Sequence, residues 1–336
     1  MKLTRTTFLL VVLLLVSGSA SAGTWVSGSA KTGAGSLQYK LWIPSAYKKE
    51  KAVPLMLMLH GCTQNAEALA SLSGMNELSE KNNFLVVYPE QSTAANPLKC
   101  WNWFDPKHQA RDAGEPSLIA AVIQDVRTSL KVDNQRIFVA GISAGGAMAV
   151  VMAATYPDIF AGVGVIAGTE FKAATGVQGG LAAMKSGGPD PNQQGLLAFE
   201  SISSAAPQKK RIPLIAFQGA KDPYVNPMNV DQLITQWAQT NDYLDDQKDN
   251  DSVSVKPATE SKGVVPNGYG YTKYTYNDSS GRLLMEKWIV DDLGHAWPGS
   301  KIADQFADAK GPDATTEIWR FLNEVVSSVK PKGGNE

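Results

Sequence analysis

One stretch limits the possible folds of this chain more than any other: Val139-Ala140-Gly141-Ile142-Ser143-Ala144-Gly145-Gly146-Ala147-Met148. The residues before it, Arg136 to Ala140, read as a short buried strand, and Ala144 to Thr155, rich in Ala and Met, reads as a helix. Between them, Gly-x-Ser-x-Gly describes a sharp turn with a serine at its tip. Such a turn crowds backbone against backbone, so its flanking positions must be small, and Gly141 and Gly145 meet that need. The serine hydroxyl then stands above a sheet, with a helix N-terminus beneath it.

The rest of the chain supplies that sheet. Val53 to Leu59 is a continuous apolar run, as a strand buried on both faces should be, and Phe84 to Tyr88, Val163 to Ala167 and Pro213 to Gln218 read as further buried strands. Alternating stretches between Thr24 and Ile43 read as antiparallel edge strands, and Tyr271 to Tyr276 and Leu284 to Val290 read as further strands. Helical spacing marks Asn65 to Asn82, Glu115 to Leu130, Asp231 to Leu244 and a closing helix over Glu317 to Val329. Strands alternating with helices imply an α/β fold, a mostly parallel sheet with helices on both faces. Gly168 to Gln208 lacks clear periodicity and suits a lid or excursion. Asp245 to Gly268 is polar and reads as a surface loop. With 43% hydrophobic and 19% charged residues, the chain can bury a substantial core.

The beginning reads as a leader rather than as part of the fold. Lys2 and Arg5 precede the apolar run Phe8 to Val16, and Ala20-Ser21-Ala22 is a small-x-small cleavage pattern. We therefore expect a secretory signal peptide over residues 1–22 and one catalytic domain over 23–336, with no membrane attachment after cleavage. Losing Lys2 and Arg5 from 31 basic residues, against 32 acidic ones, leaves a net charge near −3. That balance carries no electrostatic footprint for nucleic acid and argues against a polyanionic substrate. Cys62 and Cys100 are the only cysteines; in an exported chain such a pair reads as a disulfide, with two buried thiols the alternative. Two cysteines and three histidines do not make a zinc pattern.

An activated serine needs a base, and the base an orienting acid. The histidines are His60, His108 and His295. His295 follows the last strand in a loop, and loops after the carboxyl ends of parallel strands converge on the edge where the serine stands. Asp222, in the loop after the Pro213–Gln218 strand, fits as the acid; Asp291 and Asp292 are alternatives, though close in sequence to His295. An oxyanion needs two N–H donors. Ala144 offers one, and the loop His60-Gly61-Cys62 can offer the other through Cys62. Were Cys62 bonded to Cys100, Trp101 and Trp103 would stand beside that loop as a candidate substrate wall. This chemistry calls for no metal or organic cofactor.

Taken together, His60-Gly61-Cys62-Thr63-Gln64, Cys100-Trp101-Asn102-Trp103-Phe104, Gly141-Ile142-Ser143-Ala144-Gly145, Asp222-Pro223 and Gly294-His295-Ala296-Trp297-Pro298-Gly299 resemble the poly(3-hydroxybutyrate) depolymerase family of esterases. Feruloyl and acetylxylan esterases are similar to it. The resemblance implies an α/β-hydrolase fold, a Ser143–Asp222–His295 triad and an oxyanion hole at Cys62 and Ala144. It also implies a Cys62–Cys100 disulfide and loop tryptophans, Trp101, Trp103 and Trp297, lining the subsite. The expected partner is a polyester or another ester-bearing polymer, with feruloyl and acetyl esters of plant polysaccharide as the alternative. Many secreted depolymerases of solid polymer carry a further substrate-binding domain, whereas this chain stops soon after its closing helix. The Asp245 to Gly268 loop has no counterpart in the family pattern. A binding protein on the same scaffold would show a broken triad, and here each member is present.

Overall fold

A computed structural model describes residues 22–206 and 210–328. Residues 1–21, on which nearly all of the expected leader falls, the far end of the Gly168–Gln208 segment and the last eight residues lie outside the described residues. The chain opens with a hairpin, β1 (Thr24–Thr32) and β2 (Gly35–Ile43), whose Leu37, Tyr39 and Leu41 face inward at period two. β3 (Val53–Leu59) is buried at every residue, as a strand covered on both faces requires.

Next comes a helical segment in two pieces, where the spacing suggests one helix. α1 (Ala66–Ser73) is capped by Asn65, whose Oδ1 accepts the Ala68 N–H at 2.8 Å. Gly74, at φ 63°, ends it in the left-handed conformation, and α2 (Met75–Asn82) starts afresh. β4 (Leu85–Glu90), α3 (Gly114–Ser129), β5 (Val132–Ile142), α4 (Ala144–Thr155) and β6 (Gly162–Ile166) follow. α4 is buried on all sides, so its sequence, small and apolar throughout, carries no amphipathic stripe. The segment expected to be irregular forms two helices, α5 (Gly176–Ser186) and α6 (Pro191–Ala205). β7 (Leu214–Gly219) and α7 (Met228–Asp246) come next. The polar region read as a surface loop contains β8 (Thr259–Val264), an exposed edge strand. β9 (Gly270–Asn277), β10 (Leu283–Val290) and α8 (Ala314–Ser327) complete the order.

The ten strands form one sheet in the order β1-β2-β4-β3-β5-β6-β7-β10-β9-β8. From β4 through β10 the neighbours are parallel, and the two strands at each edge run antiparallel. Alternate residues of β3 feed two cores. Leu55, Leu57 and Leu59 meet α3, α4, α6 and α7 on one face; Met56 and Met58 meet α1, α2 and α8 on the other. Trp319 of α8 stacks on Phe84 with ring centroids 3.9 Å apart. Burial of each such large side chain contributes about 1.5–3 kcal/mol. Among the described residues no helix is long and apolar enough to cross a membrane. The consequence for function is positional: the carboxyl ends of β3, β5, β7 and β10 lie along one edge of the sheet, and each leads into a loop carrying a residue singled out above.

Candidate active site

The turn from β5 into α4 has the expected strain. Ser143 sits at φ 57° and ψ −123°, a region that a residue with a side chain occupies at a cost of roughly 1–3 kcal/mol. Its N–H donates to the Ile166 carbonyl at 2.8 Å, tying the turn to β6. The glycines are explained by contact. A Cβ on Gly145 would fall on the Leu59 carbonyl, and one on Gly141 would fall on the Gly145 carbonyl. Packing this close leaves Ser143 half-buried at the head of α4, with the Ala144 N–H next to it among the unbonded donors of the first turn.

The acid and base arrive together because their loops are laced. Ala220 and Lys221 N–H groups, after β7, donate to the carbonyls of Val290, the last residue of β10, and of Leu293 beyond it, at 2.9 and 3.0 Å. Asp222 and His295 are thereby brought into contact across 73 residues of sequence, with Asp222 Oδ2 2.7 Å from His295 Nδ1. The other oxygen, Oδ1, accepts the Tyr224 and Val225 N–H groups, each at 2.9 Å. Gln218 Nε2 donates to Oδ2 at 3.2 Å. Burial alone would raise the Asp222 carboxyl. The bond and charge of His295, with the Val225 and Tyr224 N–H groups, outweigh it and hold the group below the ordinary carboxylate value. An ionised carboxylate only accepts, so Nδ1 carries a proton, and the neutral ring takes the tautomer with its lone pair on Nε2. Asp291 and Asp292, the alternative acids, are exposed in the turn after β10.

Two cavities meet at Ser143. One, of about 520 Å3, is walled by Trp103, Phe104, Ala147, Val177 and Leu181. The other, of about 360 Å3, contains His295 with Gln64, Tyr224, Gln305 and Phe306. Ser143, Cys62, Leu98 and Met184 border both. The Tyr224 and Phe306 rings stand edge-on to the imidazole, with centroids 5.4 and 6.2 Å away.

Cys62 is bonded to Cys100, so the loop after β3 and the aromatic loop are one unit. A closure of 38 residues stabilises the fold by roughly 4 kcal/mol on the chain-entropy model. Of the three tryptophans expected on the substrate wall, Trp103 is there. Trp101 is not: it is fully buried, packed on the His60 ring with centroids 5.5 Å apart. Nor is Trp297, which is 1% exposed and donates through Nε1 to Thr315 Oγ1 at 2.9 Å. Both are core residues, because the covalent link and the His295 loop carry neighbouring backbone, not these rings, to the surface. His108 accepts the Glu115 N–H at the start of α3 at 2.9 Å, a structural place. Among the described residues no three His, Cys, Asp or Glu side chains gather as a metal site would require.

Sequence reasoning missed the α5 wall. Val177, Leu181 and Met184 recur at i, i+4 and i+7, a helical stripe that Gly179, Gly180, Gly187 and Gly188 obscured. It also missed Tyr224, although that residue follows the Asp222-Pro223 pair directly.

A family model described as esterase PHB depolymerase matches residues 37–256. The chain belongs to the esterase PHB depolymerase family. The matched region takes in Cys62, Ser143 and Asp222 and ends before His295. Within and around this family, a poly(3-hydroxyalkanoate) depolymerase C of Paucimonas lemoignei is 34% identical over 289 residues, 86% of this chain and 65% of that protein. A probable acetylxylan esterase A of Aspergillus fumigatus is 26% identical over 211 residues, 61% of this chain and 55% of that one. The chain thus spans less than two thirds of the length of either relative. Among solved structures, an acetyl xylan esterase from Aspergillus awamori superposes with a TM-score of 0.65 at 20% identity, covering 81% of this chain and 94% of that one. That likeness is one of fold, and with the strand order above it gives this member of the esterase PHB depolymerase family the α/β-hydrolase fold.

Proposed function

We propose that the chain is a serine carboxylic-ester hydrolase in which Ser143 is the nucleophile, His295 the base and Asp222 the group that orients it. The observation that carries this reading is the 2.7 Å Asp222–His295 bond at the rim of a cavity that also holds Ser143. In the proposed reaction Ser143 Oγ attacks the ester carbonyl carbon as His295 Nε2 takes its proton. The tetrahedral oxygen is held by the Cys62 and Ala144 N–H groups. Its collapse expels the alcohol, which receives the proton from His295 and leaves an acyl-enzyme. Water, deprotonated by the same Nε2, then releases the acid and restores Ser143. Because His295 lines the smaller cavity, the alcohol side of the ester belongs there, and the acyl side extends into the larger one.

We take the substrate to be a hydroxyalkanoate polyester or its oligomers. The larger cavity is bounded by apolar and neutral side chains and far exceeds what an acetyl group fills. The family and the depolymerase relative point the same way. Acetyl or feruloyl esters of plant polysaccharide are the second reading, favoured by the acetylxylan esterase relative and the fold neighbour. The enzyme is expected to release 3-hydroxybutyrate or its oligomers from amorphous poly(3-hydroxybutyrate) at least ten times faster than ferulate from methyl ferulate or acetate from acetylated xylan. Product chromatography reads the three rates, and the reverse order would reassign the substrate.

We further propose export, with cleavage after Ala22 and one catalytic domain from Gly23 onward. The leader composition supports this, as does the Cys62–Cys100 bond, which suits an oxidising compartment.

A further inference from the structure

The smaller cavity, on the alcohol side of the scissile ester, is bordered by two glutamines. Gln305 is exposed. Gln64, in the loop between β3 and α1, is 7% exposed and shares the cavity wall with Ser143 and His295. A Cβ on Gly61 would stand 3.2 Å from Gln64 Oε1 and 3.5 Å from Ser143 Cβ, so the amide and the nucleophile flank one glycine.

The orientation of that amide is fixed. The Gly61 N–H donates to Gln64 Oε1 at 2.9 Å, and a backbone N–H can be met only by the oxygen end. Nε2 is the end left over. Among the described residues it has no hydrogen-bond partner, and it is open to solvent. In a side chain otherwise buried, the opening it borders is the smaller cavity. With its oxygen engaged, Gln64 presents N–H donors and no acceptor to whatever enters.

The backbone beneath it is held on both sides. Cys62 is bonded to Cys100, and the Thr63 N–H donates to the Leu98 carbonyl at 2.6 Å. Asn65 caps α1, and the Ala66 N–H donates to Glu90 Oε1 at 3.1 Å. The donor is thus ordered before substrate arrives, and using it costs little side-chain entropy.

A polyester of 3-hydroxy acids brings an acceptor to this place. Cutting one of its esters releases an alcohol whose own carbonyl carbon is three bonds from the departing oxygen. The oxygen of that carbonyl reaches about 4 Å from the bond being cut, the scale of the two contacts across Gly61. An alkanol of the same branching has only hydrogens there, and it leaves the Nε2 donors desolvated and unpaired.

We propose that Gln64 is a substrate-binding residue of the alcohol side, whose Nε2 donates to the carbonyl oxygen of the ester unit beyond the scissile bond. The site thereby selects leaving groups that carry a second carbonyl. The inference rests on the ester-hydrolysis reading above and gives a physical reason for its polyester substrate.

Two esters of 3-hydroxybutyric acid test it: the methyl ester of the linear dimer, cleaved at its internal bond, and the sec-butyl ester. Their leaving alcohols share the same branching, and only the first carries the further carbonyl. In Gln64→Glu one carboxylate oxygen still accepts the Gly61 N–H, while the other replaces the donor with an acceptor. We expect the ratio of kcat/KM, dimer over sec-butyl ester, to fall at least about ten-fold in Gln64→Glu, the worth of one neutral hydrogen bond. The intrinsic reactivities of the two esters cancel in that comparison, and general damage to the loop would lower both rates alike. A second measurement needs no change at Gln64. In Ser143→Ala, the Gln64 side-chain amide protons, assigned through their own backbone, should shift downfield with the dimer ester and stay in place with the sec-butyl ester. A ratio unchanged within two-fold, equal losses on both esters, or unshifted amide protons at saturating dimer ester would overturn the inference. Turnover by Ser143→Ala tells the two readings apart: if that variant is inactive while the ratio does not move, only the role of Gln64 fails; if it turns over normally, the ester-hydrolysis reading fails first.

Discussion

Replacing Ser143 with alanine should lower kcat for a short p-nitrophenyl ester by at least about 10⁴-fold and leave KM within a few-fold. Loss of the nucleophile in a triad enzyme leaves only what binding and the oxyanion donors supply. The same substitution should barely move the thermal midpoint, because Ser143 lends the fold its backbone N–H, bonded to Ile166, and no side-chain bond. Alanine keeps the cost of φ 57°, so the strain remains. Ser143→Gly should be as inactive yet more stable, by about 1 kcal/mol, since glycine occupies that region freely. In a chain of this size that corresponds to a rise of about 2 °C, readable by calorimetry. An inactive glycine variant that is also less stable would mean that the turn is not under the strain its backbone angles imply.

Asp222→Asn should cost nearly as much, about 10⁴-fold in kcat, through the identity of one atom. Oδ1 accepts two backbone N–H groups, so the amide oxygen of an asparagine is held there. The NH2 group then takes the place of Oδ2, facing His295 Nδ1 and Gln218 Nε2. It donates to Nδ1, which drives the imidazole proton to Nε2, where it blocks removal of the Ser143 proton. It also sets two donors, Gln218 Nε2 and the new amide, against each other. Activity at high pH should recover little, because the fault lies in the tautomer. The stability profile should change as well. The Asp222 carboxyl is held below its ordinary value in the fold, so it contributes stability above the unfolded pKa that is lost as pH falls through the folded one. The asparagine variant lacks that contribution, and its stability should respond less to acid. Retention of more than a tenth of the parent kcat would place the orienting group elsewhere.

Much of this arrangement was legible in the sequence because it rests on short-range patterns. A strand buried on both faces has to be apolar throughout, and β3 and β6 are. The Ser143 turn needs small neighbours at two fixed positions, and the clash of any Cβ there shows why. Asp222 and His295 could be placed because parallel strands deliver their following loops to one edge. Features that depend on surroundings were harder to read. β8 is polar and exposed, and its strand character comes from pairing with β9 rather than from its own residues. α5 carries glycines that hide its stripe until it packs over the cavity, and α6 packs against α7 and α4 instead. A tryptophan near a catalytic loop looks the same in sequence whether its ring faces the cleft, as Trp103 does, or the core, as Trp101 and Trp297 do. Nothing near His60 in sequence shows that both of its ring nitrogens are bonded, because one partner is the Gly61 carbonyl and the other is the N–H of Gln91, 31 residues on.

The central claim is that Ser143 carries the acyl group between two half-reactions. The direct measurement is acid-quenched mass spectrometry of the enzyme during turnover of an activated 3-hydroxybutyrate ester, followed by peptide mapping. One added acyl group is expected, on the peptide containing Ser143, formed within the burst and absent from Ser143→Ala. Full turnover with no adduct at any quench time, or an adduct on another residue, would contradict it.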